Sequence, residues 1–196
     1  MLTTREFALA LAGVARFARG DAGARAFFSA TPEGCANSFW AAAFILVPHF
    51  AMEYLQVSQA LDRVGARVDV LRFLVAGSIA YAVQWTAFPV AMHWLCGALD
   101  RRAQYFSFIA AWNWSTLLQM AVHLPIVLLQ ATGILGGALA DAVVYASIAL
   151  LLVYAGYVAR VMLDVRPLVA AAIVFLDVLV TVMIQMQSLR LMGRAG

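Results

Sequence analysis

Five long apolar stretches dominate this sequence, separated by short breaks that carry arginine or glycine. Each stretch is close to or above the ~20 residues that an α-helix needs to cross the hydrocarbon core of a bilayer. The sequence therefore predicts five membrane spans, at residues 39–57, 73–99, 105–130, 135–162 and 168–192.

The composition excludes an ordinary water-soluble domain. Hydrophobic residues make up 65% and charged residues 12% of the 196 residues, whereas soluble domains average about 45–50% and about 25%. Because the five spans use most of the chain, no room remains for a separate soluble catalytic domain. We therefore predict an all-α polytopic membrane bundle whose main partner is the lipid bilayer.

Charge and cysteine usage narrow the partners further. A net charge of +3 suits an anionic membrane surface and lacks the clustered basic face of a nucleic-acid-binding protein, so we expect no nucleic-acid partner. The two cysteines, Cys35 and Cys96, are too few for a disulfide framework and are predicted to be free thiols.

The N-terminal segment predicts a short amphipathic helix from Thr3 to about Ala18, lying at the membrane interface. Thr3 and Glu6 have the spacing of a capping box, and the apolar residues that follow recur at helical intervals. A signal peptide is the alternative, but its apolar centre would be short and weak. Residues 20–38 are predicted to be a linker that ends with Asn37 or Ser38 capping the first span, which divides the chain into segments 1–38 and 39–196.

The first predicted span is the weakest, because Pro48, His49 and Glu53 interrupt it. A tilted or partly re-entrant segment is the alternative there. Pro89 and Pro125 are expected to kink the second and third spans, since proline removes a backbone donor and clashes with the preceding turn.

Arginine placement predicts a cytoplasmic N-terminus. In that orientation eight of the 13 basic residues, all of them arginine, lie inside, in keeping with the positive-inside rule. Arg63, Arg67 and Arg72 argue against it, although Asp62 and Asp69 lie beside them.

Four polar side chains are predicted to share a central layer of the membrane. Counted at 1.5 Å per residue, His49, Asn113 and Asp177 lie about 15 Å from the cytoplasmic ends of their helices, and Gln84 lies near the same level. One interpretation is a solute or proton site centred on Asp177. The other, which the sequence favours, is that Asn113 and Asp177 join helices through hydrogen bonds.

A second polar set is predicted nearer the outer face. Glu53, His123 and Asp141 lie about 7–12 Å from the outer helix ends by the same count, and His123 and Asp141 could pair. This set shows no spacing typical of metal ligands, so we expect ion pairing and no metal. The histidines also lie at depths that do not suit a haem, and we expect no cofactor.

Gly133 and Gly137 form a Gly-xxx-Gly step. In membrane helices such a step lets a second helix approach closely. It predicts a helix-packing surface, within the chain or with a partner.

No phosphate-binding loop, Ser-His-Asp arrangement or Cys-His dyad can be assembled, so no enzymatic activity is predicted. The first functional hypothesis is an accessory subunit of a larger membrane assembly, or a scaffold, with a homo-oligomer included. The second is a small transporter or channel subunit for a small solute or protons, with Asp177 as its ionisable centre and Asn113, Gln84 and His49 around it.

The chain also resembles a group of small uncharacterised polytopic membrane proteins of alphaproteobacteria. The resemblance covers nearly the whole chain and is most specific at Asn113-Trp114-Ser115. The residues that carry it are Arg19-Gly20-Asp21, Ser38-Phe39-Trp40, Pro48, Phe88-Pro89, Ala111-Trp112-Asn113-Trp114-Ser115, Pro125 and Asp177. It implies a bacterial inner-membrane location and names no activity. In its architecture alone, an N-terminal amphipathic segment before five spans, the chain is similar to Yip1-type membrane proteins, but it lacks their Asp-Leu-Tyr-Gly-Pro type motif.

Overall fold

The computed structural model describes residues 2–62, 65 and 67–193. Over these residues the fold is all-α, as predicted, with no β-strand. The helices are α1 (Thr4–Ala18), α2 (Pro32–Ser38), α3 (Trp40–Asp62), α4 (Val70–Ala98), α5 (Tyr105–Ala131), α6 (Gly137–Leu163) and α7 (Pro167–Gly193), with short 3-10 turns at Ala22–Phe27 and Arg102–Gln104.

Five of the helical segments are long and apolar enough to cross a membrane, which confirms the predicted number of spans. The helix ends differ from the predicted ones by a few residues; α3, for example, continues to Asp62. Pro48 lies inside α3, which is one uninterrupted helix. This helix therefore contains no turn of the kind that a re-entrant segment needs.

Among the long helices, α5 packs mainly against α3 and α6. α7 packs against α6 and α4, whereas α4 has little contact with α3 or α5. Because α4 is held mainly by α7, space remains between α4 and the neighbouring α3 and α5.

The predicted capping box at the start of α1 is present. The Glu6 amide donates to the Thr3 hydroxyl (3.2 Å), and the Thr3 amide donates to the Glu6 carboxylate (2.9 Å). Hydrogen bonds to the charged form stabilise a carboxylate. The Thr3 amide, followed by smaller contributions from the Thr3 hydroxyl and Asn37, therefore lowers the pKa of Glu6.

One face of α1 packs against the ends of the spanning helices. Phe7 lies edge-on to Trp114 of α5, with ring centroids 5.5 Å apart. Phe17 is buried between Phe28, with centroids 5.7 Å apart, and Tyr157 of α6, with centroids 6.1 Å apart. Tyr157 also donates a hydrogen bond to the carbonyl of Gly20. The N-terminal segment thus shares one hydrophobic core with the membrane bundle.

The predicted capping of the first span by Asn37 or Ser38 is wrong, because helical structure begins earlier. Thr31 caps α2 through the Gly34 amide (3.1 Å), and Pro32 occupies the first helical turn. Phe39, in α-helical conformation, connects α2 to α3, and one apolar helical stretch runs over Pro32–Asp62. The Thr-Pro pair is a helix-start pattern that the sequence already contained.

The N-terminal segment lies at the same end of the bundle as the connections α4–α5 and α6–α7. The Arg101 side chain, between α4 and α5, donates to the carbonyls of Leu163 (2.8 Å) and Asp164 (3.2 Å) at the end of α6. Eight arginines belong to this end, which we call the arginine-rich end: Arg5, Arg16, Arg19, Arg25, Arg101, Arg102, Arg160 and Arg166. The connections α3–α4 and α5–α6 lie at the other end.

Gly133 and Gly137 do not pack against another helix within the described part of the chain. Both lie in the turn between α5 and α6 or at its edge, with φ of 74° and 61°, and a Cβ on either would have no other atom within 4 Å. Glycine is used here because side chains are strained at positive φ. The Gly-xxx-Gly spacing at this position is therefore a consequence of the turn.

We expect Gly137→Ala to lower the free energy of unfolding by about 1 kcal/mol, because alanine is strained at this φ. Gly136→Ala is the matched control, since Gly136 is adjacent, equally open and extended, with φ of −139°. That change should be neutral or slightly stabilising. Thermal unfolding in detergent measures both, and equal losses would point to a packing role for the glycines.

Candidate functional site

A cavity of about 320 Å³ lies between α3, α4, α5 and α7. Its wall includes the four side chains of the predicted central layer, one from each helix: His49, Gln84, Asn113 and Asp177. The helical-rise count placed them at one depth, and the tertiary packing turns all four toward the same space.

Asp177 is the acidic side chain on the cavity wall. It is half-buried on α7. Within the part of the chain that the structure describes, no side chain forms a hydrogen bond or an ion pair with it. A carboxylate among apolar helices without a protein partner is available to a proton, water or a cation.

Asn113 is committed to a structural contact. It is 3% exposed, and its amide nitrogen donates to the Ser38 hydroxyl (2.9 Å), which in turn donates to the carbonyl of Cys35 (2.6 Å). The hydrogen bond between Asn113 and Ser38 joins α5 to the end of α2. Asn113 therefore joins helices through a hydrogen bond, as one of the two interpretations predicted. Its side chain also borders the cavity.

Two further contacts fix polar groups around the cavity. Gln84 of α4 donates to the Thr181 hydroxyl of α7 at 3.5 Å, at the limit of hydrogen-bond distance. His49 lies 3.7 Å from Glu53, one helical turn further along α3. The first contact connects α4 to α7, and the second lies within α3.

The predicted outer cluster of Glu53, His123 and Asp141 is not assembled. His123 lies on the cavity wall, Glu53 pairs with His49, and Asp141 is exposed on α6. Neither residue of the expected His123–Asp141 pair has an ion-pair partner among the described residues. The predicted His123–Asp141 pair is absent from the described structure, in which His123 lines the cavity and Asp141 is exposed.

Several cavity residues are not among those predicted from the sequence. Thr181, Gln119 and Thr116 add hydrogen-bonding groups, and the four-residue spacing of His49 and Glu53 was a pattern that could have revealed their pairing. Aromatic rings form the apolar part of the wall: Tyr81, Trp85, Phe88 and Trp112. Phe88 and Trp112 are stacked, with centroids 4.8 Å apart.

The cavity therefore combines one carboxylate, two imidazoles and several neutral amides and hydroxyls with an aromatic wall. None of the lining residues is an arginine. Among residues 2–62, 65 and 67–193, no group of three histidine, cysteine, aspartate or glutamate side chains is arranged to hold a metal ion. Both cysteines in this part of the chain are buried free thiols, as expected.

Comparison with protein-family models, with curated proteins and with solved structures finds no match for this chain.

Proposed function

We propose that this multi-pass membrane protein binds a small positively charged solute or a proton in its intramembrane cavity, and that it is a small transporter or channel subunit. The observation that carries the proposal is Asp177, a carboxylate on the cavity wall with no protein partner among the described residues. Ionisable groups inside a bilayer are costly and mark solute, ion or proton pathways when they face a cavity.

The character of the wall supports a cationic ligand. The acidic charge of Asp177 is not opposed by an arginine on the wall, while the carbonyl and hydroxyl oxygens of Gln84, Gln119 and Thr181 can accept hydrogen bonds. Aromatic faces such as those of Trp85 and Trp112 attract cations through their negative electrostatic potential. An anionic solute would meet repulsion from Asp177 and no compensating fixed charge.

If the protein is an accessory subunit or scaffold, a different environment is expected for Asp177. In a purely structural role the carboxylate should be paired with a donor on a neighbouring helix, because an unpaired polar group in hydrocarbon lowers stability. The free carboxylate beside an open cavity is therefore better explained by a ligand. Docking on a larger assembly is the alternative, and it predicts no cation uptake and a co-purifying partner protein.

The arginine-rich end supports a cytoplasmic N-terminus, and the resemblance to alphaproteobacterial membrane proteins favours a location in the bacterial inner membrane. Eight of the 13 basic residues belong to this end, and the positive-inside rule places such an end in the cytoplasm. We propose this orientation together with a non-enzymatic role.

Uptake by proteoliposomes tests the proposal. The purified full chain is reconstituted into vesicles, and the entry of labelled sodium, methylammonium and protons is compared with the entry of chloride. We expect uptake of at least one of the cations well above that of empty vesicles, and none of chloride. Absence of cation uptake, with stoichiometric co-purification of a partner protein in mild detergent, would instead favour the accessory subunit.

A further inference from the structure

A second pocket, distinct from the central cavity, lies at the arginine-rich end. It has a volume of about 480 Å³, and its wall includes Arg25, Arg160, Asp164, Arg166 and Pro167. We call it the arginine pocket. None of its lining residues borders the cavity that contains Asp177.

The pocket concentrates positive charge from three separate parts of the chain. Arg25 comes from the 3-10 turn after α1, Arg160 from the last turn of α6, and Arg166 from the connection to α7. In the described part of the chain no carboxylate lies within 4.0 Å of these three guanidinium groups. The pocket is lined by three arginines and one acidic residue, Asp164, so its net charge is positive. A bound anion would compensate this charge.

The backbone adds to this positive field. α7 begins at Pro167 in the wall of the pocket, and the amino-terminal end of a long helix carries a partial positive charge. α6 ends beside it with the opposite sign. The carbonyls of Leu163, the last residue of α6, and of Asp164, its C-cap, accept hydrogen bonds from the Arg101 side chain, which offsets part of this negative end.

The chemistry of the pocket selects a phosphate group. Guanidinium groups match phosphate oxygens with paired, charge-assisted hydrogen bonds. The pocket lies where the spanning helices α6 and α7 are joined, which is the depth of lipid headgroups, and Leu168 next to it is 83% exposed. An acyl chain beside Leu168 and a phosphate among the arginines can belong to one lipid molecule.

We propose that the arginine pocket binds a phosphate group, and that in the membrane an anionic lipid headgroup supplies it. This site is independent of the proposed cation site, since it involves other residues, the other sign of charge and the end of the bundle.

Native mass spectrometry of the full chain in detergent tests the proposal, with phosphatidylglycerol and phosphatidylcholine as probes. The double variant Arg25→Gln/Arg166→Gln removes two charges from the pocket. The matched control Arg5→Gln/Arg19→Gln removes two exposed arginines from the same end of the bundle, outside the pocket. We expect wild-type protein to retain one phosphatidylglycerol in preference to phosphatidylcholine. The pocket variant should bind it about 30-fold more weakly, whereas the control variant should change the affinity by less than about threefold.

Competition on the wild-type protein identifies the source of the phosphate without any variant. Inorganic phosphate and glycerol phosphate at millimolar concentration should displace little of the bound lipid, because they lack acyl chains. If they bind as tightly as the lipid and depend on the same arginines, the site belongs to a soluble phosphate compound and the lipid assignment is wrong. Equal losses in the two double variants, or equal retention of the two lipids, would show that only the general surface charge acts and would overturn the proposal.

Discussion

Replacing Asp177 by asparagine should reduce cation uptake about 100-fold while the protein stays folded. The amide keeps the size and hydrogen-bonding capacity of the side chain but removes the negative charge that a cation meets in the cavity. In surroundings of low dielectric constant that charge contributes a few kcal/mol to the binding of a cation, which corresponds to about two orders of magnitude in affinity.

The same variant should keep or raise the thermal stability. Placing a carboxylate among apolar helices costs free energy, so its neutral isostere relieves that cost. If Asp177 instead held helices together, Asp177→Asn would lower the midpoint of thermal unfolding. The uptake assay and the melting curve together therefore separate a binding role from a structural one.

Asp141→Asn provides the matched control for this experiment. Asp141 is exposed on α6 and does not border the cavity, so its neutralisation should leave uptake within about twofold of wild type, as expected for a distant, independent site. Undiminished cation uptake by Asp177→Asn, or a comparable loss in Asp141→Asn, would contradict the proposed centre.

Replacing Phe17 by alanine should detach the N-terminal segment from the bundle. The Phe17 ring is 2% exposed and packs against Phe28 and Tyr157, and truncating such a buried aromatic residue costs about 3–5 kcal/mol. Cleavage by trypsin after Arg19 or Arg25 requires local opening of this segment. The population of the open form, and with it the cleavage rate, should rise at least about 100-fold.

Leu11→Ala is the control on the same helix. Leu11 is 39% exposed and has no place in the shared core, so its truncation should change the cleavage rate only a few-fold, as surface substitutions usually do. Similar cleavage of the Phe17→Ala variant and of wild type would mean that α1 is held by the membrane surface rather than by the bundle.

Much of the architecture follows from local sequence patterns. An apolar segment of about 20 residues can satisfy its backbone groups in lipid only as a helix, so the number and approximate limits of the spans can be predicted without tertiary information. The capping box of Thr3 and Glu6 is equally local, because both partners belong to one turn. The Thr31-Pro32 helix start is an equally local pattern, but residues 20–38 are predicted to be a linker and the helix start is not recognised.

For the residues of the candidate site, the sequence predicted only their depth in the membrane. Counting helical rise gave His49, Gln84, Asn113 and Asp177 a common level, but level says nothing about the direction in which each helix face points.

The rotation of the helices was decided by the tertiary structure. The packing of α7 between α4 and α6 turned Asp177 toward the cavity, and a contact with Ser38, 75 residues away, committed Asn113 to a structural hydrogen bond. Helix packing also placed His123 of α5 on the cavity wall and left Asp141 of α6 on the surface. The physical reason is that hydrophobicity along a buried membrane helix is nearly uniform, so the sequence determines which segments enter the lipid, while side-chain packing alone determines which faces meet.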